Sequence, residues 1–230
     1  PFSGCCMEEL ELALAGETLA GGRPALNAAR DQATEARYTA LLAGADSDHD
    51  AVGWGSAASQ ARRFEVFSEI GDLRGKTILD VGCGLAAFHD WLAARGIEHG
   101  YYGCDITGQM VERARDRTGL TTIWHCGIDD IAERSGLARF DYVFASGIFC
   151  FDVEGGHDAM MGTIAQMFAL SEIGVGANSL SSLAASKEDT EFYAEPARAL
   201  SDALAITRHS VLRHDYHPAD FTLYLYRDRT

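Results

Sequence analysis

Apolar residues from about position 76 onward fall into short runs that are separated by segments with helical spacing. Each run is about five residues long, the usual length of a buried strand, and most segments between them are long enough for a helix. The pattern predicts strands at 77–82, 99–104, 121–125, 140–145 and 174–179, and helices at 86–95, 108–117, 157–172 and 190–204. Such alternation is typical of β-α-β units, so these strands should run parallel.

The last third of the chain differs, because two strand-like patterns follow each other closely. They are "ITRHSVLRHD" and "FTLYLYR", with a short connection between them. A parallel return needs a crossover of about a dozen residues or more, so these two strands should pair antiparallel. The predicted fold class is α/β, with a doubly wound, mostly parallel sheet whose last strand is antiparallel.

The N-terminal part of the chain is predicted to be helical and distinct from the sheet. An alanine-rich, amphipathic pattern covers about 7–43, and another helix is predicted at 57–70. We therefore divide the chain into an N-terminal helical cap or lid at 1–50 and an α/β domain at 51–230.

Charge and composition exclude several classes of partner. With 34 acidic and 19 basic residues, the chain has a net charge of −15 and should repel nucleic acid and anionic membranes. The N-terminal segment "MEELELALAGETLA" lacks the positive charge of a secretory signal, and there is no apolar run of about eighteen residues. None of the six cysteines pairs at C-x-x-C spacing. We expect no disulfide, no metal and a cytoplasmic location.

A strand, an acid and two glycines follow each other in "KTILDVGCGLAAF" at 76–88. The turn satisfies the G-x-G-x-x-G/A pattern of dinucleotide-binding proteins, which is a weak signal by itself. Asp80 precedes the turn, where its carboxylate would repel a bound pyrophosphate. It would instead attract the ammonium and sulfonium groups of S-adenosylmethionine, and Gly82 and Gly84, with Cys83 between them, would allow this cofactor close to the backbone.

Two further segments carry acids at the ends of predicted strands. Asp105 in "YYGCDIT" could accept hydrogen bonds from both ribose hydroxyls of an adenosine cofactor. Ile128 and Asp129 in "HCGIDDI" could contact the adenine face and its exocyclic amine. These positions predict an adenosine site along one edge of the sheet.

The chain resembles the class I S-adenosylmethionine-dependent methyltransferases over about residues 55–227. The resemblance rests on four successive segments, "ILDVGCGLAAF", "YYGCDIT", "CGIDDI" and "FDYVFASGIF". It implies a seven-stranded sheet with the cofactor across the carboxyl ends of the first strands. The implied cofactor-binding residues are Asp80, Gly82, Cys83, Gly84, Asp105, Ile106, Ile128, Asp129 and Ser146.

The same resemblance implies further contacts outside these motifs. "VGWGSAASQARRF" is similar to the family's stretch before the first strand, where Arg63 would meet the cofactor carboxylate, with Trp54 and Gln60 as further candidates. "SGIFCFD" resembles the acceptor-facing segment, which makes Phe149 a substrate-binding and Asp152 a catalytic candidate.

Polar residues near the predicted ends of the last strands complete the list of candidates. Asn178 ends a predicted strand at the same sheet edge, where its amide could orient a substrate. "RHDYHPADF" supplies His214, Tyr216 and His217 as catalytic candidates, since a histidine can act as a general base near neutral pH.

The leading hypothesis is methyl transfer from S-adenosylmethionine to an O or N nucleophile of a small molecule, in specialised metabolism. Two alternatives remain open. One is transfer or cyclisation of the cofactor's aminocarboxypropyl group, which would release methylthioadenosine, and the other is a non-catalytic cofactor-binding module. The oligomeric state is left open, with a homodimer as one possibility.

Overall fold

The computed structural model describes residues 34–36, 38–39, 56–151 and 155–228. The predicted alternation of strands and helices is present from residue 57 onward. The strands are β1 Lys76–Val81, β2 His99–Asp105, β3 Ile123–His125, β4 Phe140–Ala145, β5 Ser171–Leu180, β6 Ser210–Arg213 and β7 Asp220–Tyr226. The helices are α1 Ala57–Ser68, α2 Ala87–Ala93, α3 Gly108–Thr118, α4 Ile131–Ser135, α5 Gly156–Leu170 and α6 Pro196–Ile206, with a 3₁₀ helix at Ile128–Asp130.

The seven strands form one sheet in the order β3-β2-β1-β4-β5-β7-β6. Strands β1 to β5 pair parallel with one another, and β7 pairs antiparallel with both β5 and β6. Six strands therefore share one direction and β7 alone is reversed. The predicted fold class is confirmed, including the antiparallel strand at the end of the chain.

Helices cover both faces of the sheet, as the alternation of side chains along β1 requires. Leu79 packs in a core with residues of α5 and α6, while Ile78 packs with Phe67 of α1 and Phe88 of α2 on the opposite face. Asp80 shares the orientation of Ile78, because side chains two positions apart along a strand point the same way. The carboxylate therefore lies on the side of the sheet that α1 and α2 cover.

Two elements differ from the sequence-based expectation. Helix α6 begins at Pro196 instead of residue 190, because the Glu195 side chain accepts hydrogen bonds from the backbone of Ala197 and Arg198 and caps the helix there. Helix α4 was not predicted, since a segment of five residues is too short for a periodic pattern to emerge.

The proposed cap at 1–50 lies almost entirely outside the described residues. Within the described ranges, no helix is long and apolar enough to cross a membrane. The same part of the chain contains no group of three or more His, Cys, Asp or Glu side chains arranged to hold a metal ion.

Candidate active site

A cavity of about 410 Å³ opens at the carboxyl edge of the parallel strands. Its walls include the ends of β1 and β2 and the segments that follow β3 and β4. This is the edge at which open α/β sheets bind ligands, because the loops diverge on either side of the central strands. The structure brings most of the predicted cofactor residues to this one space, namely Asp80, Gly82, Cys83, Gly84, Asp105, Ile106, Ile128, Asp129 and Ser146.

Asp80 lies at the end of β1 with only 5% of its surface exposed. One carboxylate oxygen accepts a hydrogen bond of 2.7 Å from the Tyr101 hydroxyl, which projects from the adjacent strand β2. The pKa of Asp80 is raised to about 7, mainly by burial; the Tyr101 hydrogen bond opposes this rise, and the neighbouring Asp105 carboxylate adds to it. A cationic ligand would restore the ionised form.

The glycine turn and Asp105 hold each other in position. Gly84 N–H donates to Asp105 Oδ2 at 2.8 Å, and Thr107 N–H donates to Asp105 Oδ1 at the same distance. Burial raises the pKa of Asp105, and the two backbone donors oppose that effect. Burial also raises the pKa of the Cys83 thiol well above its ordinary value, so this cysteine stays protonated. The turn is thus arranged before any ligand binds.

The turn ends in an unusual backbone conformation. Ala86 has a φ of 58° and is the one described residue other than glycine with a positive φ. A Cβ in this left-handed region meets the following carbonyl, which costs roughly 1–2 kcal/mol. Ala86 occupies the place of the last glycine of the methyltransferase motif, and the structure keeps the glycine-like conformation there despite the added methyl group.

The segments after β2 and β3 form the next part of the wall. Ile106 and Ile128 line the cavity with apolar surface. Asp129 also lines it, and its Oδ1 accepts a 2.7 Å hydrogen bond from Gln166 Nε2 of α5. Gln166, which the sequence analysis missed, therefore sets the orientation of the carboxylate.

The loop after β4 contributes Ser146 and Phe149 to the cavity. The Ser146 hydroxyl is buried and has no hydrogen-bond partner within the described residues. Asn178, predicted to contact substrate, does not line the cavity: its Oδ1 accepts a 2.9 Å hydrogen bond from Gly147 N–H. Asn178 therefore supports the site indirectly, because it holds the loop that carries Ser146 and Phe149.

Arg63 is likewise directed away from the cavity. Its guanidinium forms a buried ion pair with Asp220 at the start of β7 and donates to Ser59 Oγ at 2.7 Å. His217 joins the same group, with Nε2 3.1 Å from Ser59 Oγ and Nδ1 3.1 Å from Asp220 Oδ2. We call Ser59, Arg63, His217 and Asp220 the Arg63 cluster. None of its members lines the cavity.

The Arg63 cluster does not have the arrangement of a nucleophilic triad. Arg63 donates to Ser59 Oγ, and Ala219 N–H donates to His217 Nδ1 at 3.2 Å, so both the hydroxyl and the ring have a further protein contact. Asp220, the acid of the group, forms the ion pair with Arg63 instead of serving the histidine alone, as it would in a triad. Burial and Arg63 lower the pKa of His217 while Asp220 opposes them, so the ring is neutral at neutral pH.

The other catalytic candidates from the β6–β7 connection also lie outside the cavity. His214 Nε2 is 2.8 Å from Ser181 Oγ, and Tyr216 Oη is 2.8 Å from Thr222 Oγ1. Burial raises the pKa of Tyr216 to about 12, which makes its phenolate inaccessible near neutral pH. Trp54 and Asp152 lie outside the described residues.

The sequence analysis missed side chains that the fold brings to the cavity from distant positions. Tyr38, Phe151 and Phe192 line it, and no motif marks them. Tyr101 supports Asp80 from the adjacent strand. The sequence contained a signal for this contact, because Gly103 is the partner of Asp80 in the sheet and Tyr101 lies two positions before Gly103. The side chains of Tyr101 and Asp80 therefore lie on the same face of the sheet.

The charge of the cavity provides a test of which cofactor it fits. Three carboxylates line it, those of Asp80, Asp105 and Asp129, and no Arg, Lys or His occurs among its described lining residues. A pyrophosphate would meet like charges here, whereas the ammonium and sulfonium of S-adenosylmethionine would neutralise buried acids. The unpartnered Ser146 hydroxyl supplies a further polar contact for a ligand. The residues present fit S-adenosylmethionine.

Comparison with known sequences agrees with this geometry. Residues 78–169 match the family model described as "Methyltransferase domain". The chain is 33% identical over 163 residues to "Putative methyltransferase Rv1506c" of Mycobacterium tuberculosis, an alignment that covers 64% of this chain and 90% of the relative. The chain therefore belongs to the class I S-adenosylmethionine-dependent methyltransferase superfamily. The predicted enzyme class and its cofactor, S-adenosylmethionine, are confirmed.

Solved structures share the fold at low sequence identity. A Burkholderia thailandensis 1,6-didemethyltoxoflavin-N1-methyltransferase is 14% identical with a TM-score of 0.59, over 92% of this chain and 94% of that chain. The magnesium protoporphyrin IX methyltransferase ChlM of Synechocystis PCC 6803 is 12% identical with a TM-score of 0.57, over 91% of this chain and 100% of that chain.

Proposed function

We propose that this enzyme transfers a methyl group from S-adenosylmethionine to an O or N nucleophile of a small molecule, in specialised metabolism. The observation that carries the proposal is a cavity in which the buried Asp80 and the neighbouring Asp105 meet no Arg, Lys or His among the described lining residues. A small-molecule acceptor is also supported by the fold neighbours, which are named for 1,6-didemethyltoxoflavin and magnesium protoporphyrin IX.

The proposed cofactor contacts follow the positions of the side chains around the cavity. Asp80 would hold the cationic amino acid part, where the Tyr101 hydroxyl already orients its carboxylate. Asp105 would accept the ribose hydroxyls with the lone pairs that its two backbone donors leave free. Ile128 and Asp129 would contact the adenine face and edge, and Ile106 would lie beside the ribose-binding acid.

When bound, S-adenosylmethionine supplies an electrophilic methyl group on its sulfonium. Asp80 and Asp105 would hold the cofactor so that the acceptor's lone pair could take the methyl carbon, with the electron pair of the broken carbon–sulfur bond left on sulfur. A proton on the acceptor atom would pass to solvent when the methylated product leaves. The cavity walls align the acceptor and exclude bulk water, and such alignment can supply a large part of the rate enhancement.

The absence of His214, Tyr216 and His217 from the cavity lining supports catalysis by alignment. Each of these side chains already has a protein partner, in Ser181, Thr222 and the Arg63 cluster. We therefore assign structural roles to all three.

We also propose that the N-terminal region covers the cavity. Thr34 and Tyr38 line it, four positions apart on one side of a helical segment. The Tyr38 hydroxyl lies 3.5 Å from the Gly147 carbonyl oxygen, and its ring packs 5.2 Å from that of Phe151. Removal of residues 1–50 should reduce turnover more than cofactor affinity, and equal turnover of both forms would contradict a lid.

Titration calorimetry with S-adenosylmethionine and, in parallel, NAD tests the cofactor site. We expect saturable binding of S-adenosylmethionine alone, weakened by Asp105→Ala and unchanged by Asp72→Ala, whose carboxylate pairs with Arg74 at the surface. Binding of NAD with equal affinity would overturn the proposed cofactor contacts.

The by-product of turnover separates the proposed chemistry from its alternatives. An acceptor screen that records the product by mass spectrometry should yield S-adenosylhomocysteine. Methylthioadenosine would indicate aminocarboxypropyl chemistry instead. Cofactor binding without either product across the screen would favour a non-catalytic binding module.

A further inference from the structure

Four aromatic side chains line the cavity on the side of β4 and β5. They are Tyr38, Phe149, Phe151 and Phe192, which we call the aromatic quartet. They come from three separate parts of the chain, so no local sequence pattern announces them. The fold alone brings their rings to one space.

Backbone contacts hold Phe151 and Phe192 of the aromatic quartet in place. Phe192 N–H donates to the Cys150 carbonyl at 3.0 Å, and Phe151 forms an isolated antiparallel bridge with Glu191. Gly156, at the start of α5, lies so close that a Cβ there would be 2.8 Å from the Phe192 ring. These rings are therefore positioned before a ligand enters, which lowers the entropic cost of binding.

The order of the strands separates the aromatic quartet from the cofactor residues. Among strands β1 to β5, β1 is central, with β2 and β3 on one side and β4 and β5 on the other. Asp80 and Asp105 lie at the ends of β1 and β2, and Asp129 follows β3, whereas Phe149 and Phe151 follow β4. The cavity therefore has an acidic half, which Phe64 and Phe88 of α1 and α2 also border, and an aromatic half formed by the quartet, with Ser146 directly after β4.

The charge of the cavity limits what the aromatic half can bind. An anionic acceptor would share the cavity with the carboxylates of Asp80 and Asp105 and would find no Arg, Lys or His among the described lining residues. A buried charge without a partner is strongly unfavourable. Flat rings, by contrast, gain from offset or edge contacts with aromatic side chains beyond the burial of their area.

On the basis of the proposed function, we propose that the acceptor is an uncharged, flat aromatic or heteroaromatic molecule bound by the aromatic quartet. Its nucleophilic O or N atom points toward the acidic half, where Ser146 Oγ offers a hydrogen bond. Specificity then resides in Phe151 and Phe192, and cofactor binding does not depend on these rings.

The test uses the full chain saturated with S-adenosylhomocysteine and three probes of equal size. The probes are 2-naphthylmethanol, which is neutral and flat, 2-naphthoate, which is anionic, and decahydro-2-naphthylmethanol, which is neutral but saturated. Ligand-detected NMR titrations should give binding of the neutral aromatic probe about tenfold tighter than that of the anion and about fivefold tighter than that of the saturated probe.

Matched variants assign this binding to the aromatic quartet. Phe151→Leu and Phe192→Leu should each weaken 2-naphthylmethanol about fivefold and leave S-adenosylhomocysteine affinity within about twofold, since they lie in the other half. Phe168→Leu is the control, because this ring packs under Arg227 and does not line the cavity. It should change neither affinity.

The outcomes distinguish the two proposals. Binding of S-adenosylhomocysteine together with equal or tighter binding of 2-naphthoate, or with no binding of 2-naphthylmethanol, would overturn the acceptor class and leave the proposed function standing. If the quartet variants bound the probes as tightly as the wild type, the acceptor class would also be overturned, and the proposed function would stand. Failure of S-adenosylhomocysteine itself to bind would overturn the proposed function and the acceptor class with it.

Discussion

Two groups of buried charges lie at the same edge of the sheet and differ in how they are neutralised. In the Arg63 cluster, Asp220 is 1% exposed and pairs with Arg63, which is 5% exposed. In the cavity, Asp80 is as buried as Arg63, but within the described residues its hydrogen-bonding side chain is the neutral Tyr101 hydroxyl. The first group contains its own counter-ion, whereas the proposed function supplies the second group with a cationic ligand.

This difference separates structure from function better than residue type does. Arg63 and His217 looked functional in the sequence, but each satisfies the other members of a closed cluster. The pKa of the Asp80 carboxylate is raised because the group is buried and its ionised form is poorly stabilised. Perturbed acids in a cavity are candidates for ligand contact, and paired ones more often support the fold.

The largest effect is expected from breaking the closed cluster. Asp220→Ala should lower the free energy of unfolding by about 3–5 kcal/mol, because it leaves the buried Arg63 guanidinium without its counter-ion. Urea denaturation measures this loss. The double variant Arg63→Met/Asp220→Leu should be more stable than the single variant, and Asp72→Ala at the surface should cost less than about 1 kcal/mol. Equal stability of Asp220→Ala and the wild type would contradict a structural role for the cluster.

A smaller effect is expected in the cavity, where a substitution should weaken ligand binding but increase the stability of the ligand-free protein. Asp80→Asn should weaken S-adenosylmethionine by about 2–3 kcal/mol, because it removes a charge-assisted contact. The ligand-free protein should become more stable at pH 8, because a buried carboxylate without a counter-ion is gone. Calorimetric titration and thermal unfolding measure the two changes. If ligand-free stability fell together with affinity, Asp80 would be a structural residue.

The pH dependence should follow Asp80, with a pKa of about 7 against an ordinary value of 3.8. The folded, ligand-free chain holds a proton between these values that the unfolded chain releases, so its stability should fall as pH rises through this window. Affinity for S-adenosylmethionine should rise with pH, by up to about tenfold per unit below 7, with release of a proton on binding. Titrations in two buffers of different ionisation enthalpy detect that proton, and Asp80→Asn should abolish it.

The smallest effect concerns the backbone beside the glycine turn. Ala86→Gly should stabilise the chain by about 0.5–1 kcal/mol, because relief of the left-handed strain outweighs the added freedom of the unfolded state. Ala93→Gly, in the same helix α2 but with ordinary backbone angles, should instead destabilise it by about 0.5–1 kcal/mol. Thermal unfolding of both variants gives the signs, and a destabilising Ala86→Gly would show that the buried methyl matters more than the strain.

Much of the fold was predictable because the strands are short and strongly apolar. The reversed strand β7 followed from the short connection after β6, which is too short for a parallel crossover. The positions of Asp80 and Asp105 were predictable because residues at the ends of parallel strands meet at one edge.

The remaining parts of the site depend on contacts that sequence spacing does not encode. Arg63 lies on α1 with Gln60 and Phe64, and these two residues line the cavity. The Arg63 side chain instead forms an ion pair with Asp220 of β7. Phe151 and Phe192 meet only because a backbone bridge joins two irregular segments. Such long-range pairings have no local pattern.

The position of β1 between the two groups of strands has a consequence for how such an enzyme can change. With the proposed contacts, substitutions in the loops after β4 and β5 would exchange the acceptor without disturbing the turn and acids on the other side. A library confined to Phe149, Phe151 and Phe192 would sample new acceptors on an intact methyl-donor platform. The strand order would thus allow the acceptor half of the cavity to vary while the cofactor half keeps its residues.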